Sequence, residues 1–309
     1  MNMRAAVYYN NKDVRVEDVA RPEIGPGELL VKIMASGICG SDVLEWYRIK
    51  KAPIVLGHEV AGVIEEASAT PRSKDTSLRS TSKGVRGFKA GDRVVVSHHV
   101  PCGKCRYCLA GNHTVCETLH TTNFDPGGFA EFVRVPRINV ELGTFRLPEE
   151  ISFEDGTFCE PLACVVRGQR TAGFRKDQTL LILGSGVSGL LHIMLARANG
   201  AKRIIASDVN EFKMKKAKEF GADAVINAKE DIPARVKEIN EGCGADLVIV
   251  CTGALTAFKQ ALKSVDRAGT IMCFATTEPG VDLPVPINEF WRNSIKVISV
   301  GSIARWQPR

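Results

Sequence analysis

Four cysteines in the segment PCGKCRYCLAGNHTVC constrain this chain more than any other feature. Cys102, Cys105, Cys108 and Cys116 follow the spacing C-x2-C-x2-C-x7-C. Four thiolates this close in sequence can surround one metal ion, and four sulfurs with no position left for water are typical of structural zinc. An iron–sulfur cluster uses similar spacings and stays open as an alternative, as do four reduced thiols without a metal. Disulfides between such near neighbours rarely reach the required Cβ geometry.

The length and composition describe an ordinary globular protein. At 309 residues the chain can form two domains, each with its own core. Its 44% hydrophobic and 25% charged residues are typical of globular proteins. No stretch has the length of apolar sequence that crosses a bilayer, and the N-terminus lacks the apolar region of a secretory signal. With ten cysteines and no export signal, we expect a cytoplasmic location, where thiols stay reduced or bind metal.

The charge balance argues against a nucleic-acid partner. The net charge of +6 comes from 41 basic and 35 acidic residues and is mostly dispersed. Its one concentration lies in residues 69–89, a segment rich in Ser and Thr. Nucleic-acid binding needs aromatic platforms or a folded basic face, and this segment offers neither. We therefore expect a solvated surface loop there, and neither a nucleic-acid nor a membrane partner.

The pattern of apolar runs changes near residue 150 and predicts two domains. Before that point, short runs rich in Val and Ile are separated by Gly and Pro, which predicts a small β-barrel or folded sheet. After it, six apolar strands alternate with helical segments, which predicts an α/β fold with a doubly wound parallel sheet. We place the domains at residues 1–150 and 151–309, with a helix over residues 152–173 leading into the second.

A glycine-rich turn predicts a dinucleotide site in the second domain. The apolar run TLLIL continues directly into GSGVSG, which fits G-x-G-x-x-G and precedes an apolar helix. Asp208 closes the next strand, where a carboxylate accepts hydrogen bonds from ribose hydroxyls and favours NAD over NADP. Lys213 lies near enough to weaken that preference, and a glycine-rich turn without a ligand is the alternative. The predicted cofactor residues are Gly184, Gly186, Val187, Gly189 and Asp208.

A second group of metal-binding residue types is scattered through the sequence. It consists of Cys39 in GICGSD, His58 and Glu59 in LGHE, and Glu160 in CEPLAC. A cysteine, a histidine and one or two carboxylates could hold zinc and leave a position open to water or substrate. Each residue alone is ambiguous, because single cysteines and histidines are often packed structural residues. Spacing does not identify this site.

The order of six motifs resembles that of zinc-containing medium-chain alcohol dehydrogenases, in particular their polyol (sorbitol-like) branch. The motifs are GICGSD, GHEVAG, FKAGDRVVV, CGKCRYCLAGNHTVC, EPLA and GSGVSG, and the resemblance extends to about residue 298. It implies a GroES-like catalytic domain, a Rossmann domain, structural zinc at the four cysteines and catalytic zinc in the interdomain cleft. By position, Cys39 and His58 would be catalytic ligands, with Glu59 and Glu160 sharing the third protein position. A carboxylate at Glu160, where other alcohol dehydrogenases have a second cysteine, points to the polyol branch.

The resemblance also implies a reaction. Zinc would lower the pKa of a substrate hydroxyl, and the substrate carbon would give a hydride to the nicotinamide. Ser41 matches the hydroxyl that takes the alcohol proton and passes it outward. The alternative is that Ser41 caps a helix beginning near Asp42. Relatives often carry a histidine three residues after this hydroxyl, whereas this chain has Leu44.

Two further departures concern whole segments. Residues near 68–86 look like an insertion between two strands, and relatives continue for several tens of residues beyond the sixth strand of the second domain. The short tail GSIARWQPR suggests a truncated or frame-altered product, with an exposed sheet edge that favours misassembly.

The sequence therefore predicts a zinc- and NAD-dependent dehydrogenase of secondary alcohols, most closely polyols or sugar alcohols, with two zinc ions per chain. One alternative is oxidation of the threonine β-hydroxyl, although EPLA argues mildly against it. The other is a non-catalytic zinc- and NAD-binding product. Because the sixth strand often pairs between subunits in relatives, a homodimer or homotetramer is expected.

Overall fold

The computed structural model of the chain describes residues 1–68 and 87–300. Most of the predicted surface loop and the C-terminal tail lie outside the described residues. The chain divides into two compact units between Ala163 and Cys164. No helix in the described ranges is both long and apolar enough to cross a membrane.

The first unit is built around antiparallel strands. A three-stranded sheet has the order β2-β1-β4, and a five-stranded sheet has the order β7-β3-β5-β6-β8. Burial alternates along the first half of β1, with Met3 and Ala5 inside, as expected for a strand with one face on the core. The bounds are β1 Asn2–Asn10, β2 Asp13–Ala20, β3 Leu29–Gly37, β4 Ile54–Val55, β5 Glu59–Ala67, β6 Arg93–Ser97, β7 Phe132–Val135 and β8 Thr144–Arg146.

Helices connect or follow these strands. They are α1 Glu45–Arg48, α2 Arg106–Leu109, α3 Glu117–Thr121, α4 Arg137–Gly143, α5 Phe153–Thr157 and α6 Cys159–Thr171, with 3₁₀ turns at Gly40–Val43, Ile49–Lys51 and His113–Val115. The sequence predicts a single helix over residues 152–173, and the structure forms two. The domain boundary also falls later than the predicted residue 150. The reason is that α5 packs on the strands of the first unit, with Phe153 against Ala61, Val95 and Leu147.

The second unit confirms the predicted doubly wound parallel sheet. Its six strands have the order β11-β10-β9-β12-β13-β14, and all the pairings are parallel. The strands are β9 Thr179–Leu183, β10 Arg203–Asp208, β11 Ala224–Asn227, β12 Ala245–Val250, β13 Val265–Cys273 and β14 Lys296–Ser299. The helices are α7 Val187–Ala198, α8 Glu211–Glu219, α9 Ile232–Ile239, α10 Leu255–Ser264 and α11 Ile287–Asn293.

Both faces of this sheet are covered by helices. Leu181 and Leu183 belong to one apolar cluster, whereas Leu180 and Ile182 belong to the other. Every residue of β9 is therefore buried, as expected for a central parallel strand that reads as a continuous apolar run. In the strand order, β10 is the neighbour of β9 on one side and β12 is its neighbour on the other, so the order reverses at β9. Such a point of reversal, at the carboxyl end of the strand, is where open α/β sheets bind ligands.

Candidate functional site

Strand pairing brings three metal-binding side chains together in the first unit. In the antiparallel pair β3–β5, Gly37 lies opposite Glu59, so the residues after β3 meet those before β5. The ligand atoms of Cys39, His58 and Glu59 consequently lie within 4.8 Å of one another. A Cβ atom on Gly37 would overlap the Glu59 carboxylate, so a larger residue there would displace it. We call these three residues the mixed cluster.

The Asp42 side chain contacts two residues of the mixed cluster, Cys39 and His58. This buried carboxylate accepts a hydrogen bond from the Cys39 backbone N–H at 3.1 Å through Oδ2. Its Oδ1 lies 3.4 Å from Nδ1 of His58. The Nε2 atom of His58 is thereby the ring nitrogen left for a ligand, which is how carboxylates orient metal-binding histidines.

The carboxylates of the site influence one another. Burial, followed by the negative charge of Glu160, raises the pKa of Glu59 to about 7. Burial lowers the pKa of His58, but hydrogen bonds to Asp42 and Cys39 outweigh it and raise the pKa to about 10. Glu160, near the start of α6, thus lies close enough to act electrostatically on Glu59. Among the described residues it stands outside the group whose ligand atoms lie within 4.8 Å of one another.

Ser41 does not cap the turn that follows Cys39. The N-cap of the 3₁₀ turn Gly40–Val43 is Cys39, whose sulfur accepts a hydrogen bond from the Ser41 N–H at 3.5 Å. The Ser41 hydroxyl instead accepts a hydrogen bond from Nη2 of Arg48 at 2.8 Å. Leu44 is the C-cap of this turn. The capping alternative is therefore wrong, and the hydroxyl is held by a cation.

The four-cysteine segment gathers its sulfurs around one point. The ligand atoms of Cys102, Cys105, Cys108 and Cys116 lie within 4.8 Å of one another, and none of the ten cysteines, all of which are described, forms a disulfide. Backbone N–H groups donate to three of the sulfurs: Cys105 to Cys102 at 3.3 Å, Cys108 to Cys105 at 3.5 Å and Cys102 to Cys116 at 3.4 Å. We call this group the four-sulfur cluster.

Those backbone donors favour thiolates. The N–H groups of Lys104 and Cys105 lower the pKa of Cys102. Burial opposes ionisation of Cys116, yet the N–H groups of Cys102 and Leu119 lower its pKa to about 6. Burial, by contrast, raises the pKa of the Cys108 thiol to about 12. Because the thiolate is the form that binds metal, the backbone favours metal binding at Cys102 and Cys116, whereas Cys108 would lose its proton when a metal binds.

The glycine-rich turn has a different requirement at each glycine. Gly184 has φ +96°, a conformation that side chains rarely adopt. A Cβ atom on Gly189 would overlap the Gly184 carbonyl, so this glycine permits close packing of α7 on the turn. A Cβ atom on Gly186 would meet nothing within 4 Å. Gly186 is thus not required by packing, and it leaves space for a ligand at the N-terminus of α7, which Val187 begins.

Asp208 closes β10 next to this turn. Its Oδ2 accepts a hydrogen bond from the Ser185 N–H at 2.9 Å, and its Oδ1 accepts one from the Asn210 N–H at 2.9 Å. Each carboxylate oxygen has two lone pairs, so acceptor capacity remains for ribose hydroxyls. Lys213 lies one turn into α8, where its backbone N–H donates to the Asn210 side chain. Asp208 therefore fixes the glycine turn as well as being available to a ligand.

Sequence reasoning missed three side chains around the mixed cluster. They are Asp42, Arg48 and His98, whose ring lies 4.6 Å from that of His58. Asp42 has a local signal, because a carboxylate three residues after an N-cap forms a capping box. Arg48 and His98 have no such signal, since their contacts arise only after folding.

The donor sets fit zinc. Sulfur, imidazole and carboxylate oxygen are the ligands that zinc takes in proteins, and a four-sulfur set is typical of closed structural sites. The mixed cluster offers three such donors, which is the number found in catalytic sites that keep one position open.

Comparison with known proteins identifies the family. The family model for the alcohol dehydrogenase GroES-like domain matches residues 25–143, and that for zinc-binding dehydrogenases matches residues 188–308. L-threonine 3-dehydrogenase of Pyrococcus furiosus is 37% identical over 82% of this chain and 70% of its own length. Sorbitol dehydrogenase of Bacillus subtilis is 30% identical over 100% of this chain and 84% of its own length. The chain belongs to the zinc-containing medium-chain alcohol dehydrogenase family, which includes polyol-type members.

A solved structure supports the same assignment. A protein from Sinorhizobium meliloti 1021, described as a zinc-binding dehydrogenase and bound to NADP, aligns with a TM-score of 0.83 at 30% identity. The alignment covers 98% of this chain and 85% of that one. The GroES-like and Rossmann domains expected from the motifs are therefore confirmed as the fold class.

Proposed function

We propose that the chain is a dehydrogenase that oxidises a secondary alcohol, of the polyol or sugar-alcohol class, with zinc at the mixed cluster and NAD as the hydride acceptor. The observation that carries the proposal is the assembly of Cys39, His58 and Glu59 at one point, with Asp42 orienting the imidazole. Three donors with one open position are what a catalytic zinc requires.

Two zinc ions per chain have distinct roles in this proposal. Cys39, His58 and Glu59 would hold the catalytic ion, with Glu160 sharing the third protein position, and the ion would supply Lewis acidity toward the substrate oxygen. The four-sulfur cluster would hold the other ion as a structural brace. Its four donors are all sulfur, so no position stays open to water or substrate, and backbone N–H groups donate to three of the sulfurs.

The protein's own groups would handle the proton and the coenzyme. Ser41 would accept the proton of the substrate hydroxyl at a lone pair not used by Arg48. The N-terminus of α7, opened by Gly186, would receive the pyrophosphate, and Asp208 would accept hydrogen bonds from the adenosine ribose. A carboxylate at that position repels a 2′-phosphate, which favours NAD over NADP.

A second candidate function is oxidation of L-threonine at its β-hydroxyl. The similarity to the threonine dehydrogenase of Pyrococcus furiosus, at 37% identity, supports it. Both activities would use the same zinc, proton acceptor and coenzyme, so the substrate pocket alone separates them.

We also propose that the chain assembles as a homo-oligomer, a dimer or tetramer. Within residues 1–68 and 87–300, the strand β14 lies at the edge of the six-stranded sheet and pairs only with β13. Trp291 and Ile287 beside it are 77% and 71% exposed, which is unusual for large apolar side chains. Sedimentation velocity on the wild type and on Trp291→Glu tests this, because the charge should dissociate the oligomer.

The functional proposal is tested with a substrate panel. Polyols, L-threonine and simple secondary alcohols are assayed by nicotinamide absorbance with NAD and with NADP, before and after chelation and zinc re-addition. Glu59→Gln should lose turnover, whereas Glu65→Gln, an exposed carboxylate on the same strand, should keep it. No nicotinamide reduction with any of these substrates, in protein that carries zinc, would refute the proposed activity.

A further inference from the structure

We infer that Arg48 is the positioning residue for the Ser41 hydroxyl, and that it holds this hydroxyl ready to accept the proton of the substrate alcohol. The inference rests on the proposed function. Arg48 lies on α1, and its guanidinium group makes three hydrogen bonds to the turn that follows Cys39.

The guanidinium of Arg48 is bound to two consecutive residues. Its Nε donates to the Ser41 carbonyl at 2.9 Å, and its Nη2 donates to the Ser41 hydroxyl at 2.8 Å. The same Nη2 lies 3.2 Å from Oδ1 of Asp42. The aromatic ring of Tyr47 covers the group from another side, at 4.8 Å from its centre. Arg48 thus contacts both the backbone and the side chain of Ser41, which fixes the direction of the hydroxyl oxygen.

Burial makes this arrangement firm. The side chains of Arg48 and Asp42 are 13% and 3% exposed, so the ion pair is largely removed from water. A charge pair in such surroundings is screened little and is costly to break on one side only. The guanidinium is therefore held in place rather than free to swing toward a substrate anion. The same Asp42 oxygen lies 3.4 Å from Nδ1 of His58. The Asp42 carboxylate thus contacts both Arg48 and a residue of the mixed cluster.

The chemistry of the hydroxyl follows from its lone pairs. A serine oxygen has one proton to donate and two lone pairs to accept with, and Arg48 occupies one lone pair. The other lone pair accepts the substrate hydroxyl proton, while the original Ser41 proton leaves to a water molecule. The side chain is thus unchanged at the end of the step. Arg48 cannot take the proton itself, because guanidinium stays charged at all working pH values. The Ser41 proton leaves ahead of the arriving one, so negative charge develops on the serine oxygen, and the guanidinium stabilises that charge.

The position of Arg48 is provided by α1. Leu44, one turn earlier, accepts the Arg48 backbone N–H at 3.0 Å and offers no polar side chain to Ser41. The hydrogen bond to the Ser41 hydroxyl is therefore made by Arg48, four residues after Leu44.

A double-mutant cycle tests the inference. The variants are Arg48→Met, Arg48→Lys, Ser41→Ala and the double variant Arg48→Met/Ser41→Ala. The control is Lys51→Met, which removes a second cation that lies over the Tyr47 ring, at 5.5 Å from its centre. We expect Arg48→Met to lower kcat about tenfold to a hundredfold, as the loss of a charge-assisted hydrogen bond does, with KM little changed. Arg48→Lys should recover part of the loss, and Lys51→Met should leave kcat unchanged.

Two readouts separate positioning of Ser41 from a general structural effect. In the Ser41→Ala background, Arg48→Met should cause no further loss of kcat. In the wild-type background, Arg48→Met should shift the increase of kcat with pH to higher pH. The visible absorption of the cobalt-substituted protein should keep the same bands in Arg48→Met and the wild type, because Arg48→Met keeps all three donor side chains of the mixed cluster, Cys39, His58 and Glu59. Equal kcat in Arg48→Met and the wild type, additive losses in the cycle, or a changed cobalt spectrum would each overturn the inference.

Failure of the proposed function is recognised separately. If the zinc-loaded wild type reduces no nicotinamide with any substrate, the coupling is measured instead by thermal unfolding of the wild type, Arg48→Met, Ser41→Ala and the double variant. Coupled shifts in Tm, smaller in the double variant than the sum of the single ones, support the Arg48–Ser41 contact. Additive shifts overturn it.

Discussion

The two candidate metal clusters of the first unit differ in how the sequence builds them. The four-sulfur cluster comes from one short segment and is supported by its own backbone N–H groups. The mixed cluster comes from the ends of two paired strands, and a buried Asp42–Arg48 pair supports it. The first is therefore a local brace, whereas the second depends on the fold around it. Zinc loss should accordingly affect stability at the first and turnover at the second.

The largest effect is expected from His58→Ala. Loss of the imidazole removes the zinc that stabilises charge on the substrate oxygen, which is worth several kcal/mol and corresponds to a roughly thousandfold drop in kcat/KM. Zinc content should fall by one ion per chain, with the far-ultraviolet circular dichroism unchanged. His120→Ala, at an exposed position, is the matched control and should behave like the wild type. Loss of both zinc ions from His58→Ala would contradict the independence of the two clusters.

Cys116→Ser should show the opposite pattern. Removing one thiolate from the brace weakens metal binding that is coupled to folding, and we expect a loss of roughly 3 kcal/mol in the free energy of unfolding. Urea denaturation measures this loss. Turnover per folded molecule should remain, since the mixed cluster is intact. Cys243→Ser, at an exposed cysteine, should change neither quantity. Inactive but fully stable Cys116→Ser protein would reverse the roles assigned to the clusters.

Glu59 and Glu160 should contribute unequally to zinc affinity at the mixed cluster. Glu59 shares the 4.8 Å group with Cys39 and His58, whereas Glu160 acts on Glu59 through its charge. We expect Glu160→Gln to lower zinc affinity about tenfold, as loss of a supporting group does, and Glu59→Gln to lower it by a larger factor, because it alters a direct ligand. Competition with a chromogenic chelator gives both values. A larger effect in Glu160→Gln would make Glu160 the principal third ligand.

Asp42→Asn should have an effect as small as that of Glu160→Gln. The amide keeps the shape of the side chain but loses the charge that pairs with Arg48 and faces His58. Zinc affinity of the mixed cluster should fall about tenfold, while that of the four-sulfur cluster should not change. Asp125→Asn makes the same chemical change at an exposed carboxylate, which lies 3.6 Å from Arg134, and serves as the control. Equal affinity in Asp42→Asn and the wild type would show that the mixed cluster needs no such support.

The same contrast explains what could be predicted from the sequence. Local patterns gave the four-sulfur cluster and the glycine turn before Val187, because each is made by residues that are neighbours in the chain. Periodic apolar runs predicted the parallel sheet, and the strand TLLIL has the predicted bounds. Cys39 and His58 required the resemblance to known dehydrogenases, since their meeting depends on the register of β3 and β5.

Other features could not be predicted, for physical reasons. The hydroxyl of Ser41 receives its hydrogen bond from Arg48, a contact that depends on the fold of two short turns rather than on any spacing rule. The late boundary between the units arises because α5 packs on the first sheet, which no composition change near residue 150 reveals.

The most direct test removes zinc stepwise from the wild-type protein, with zinc per chain, turnover and circular dichroism followed on the same samples. We predict two ions per chain, with the ion at the mixed cluster held more weakly and lost first. Turnover should then be lost completely while the fold is still intact. Full turnover in protein that has lost this ion would contradict the assignment of a catalytic zinc to Cys39, His58 and Glu59.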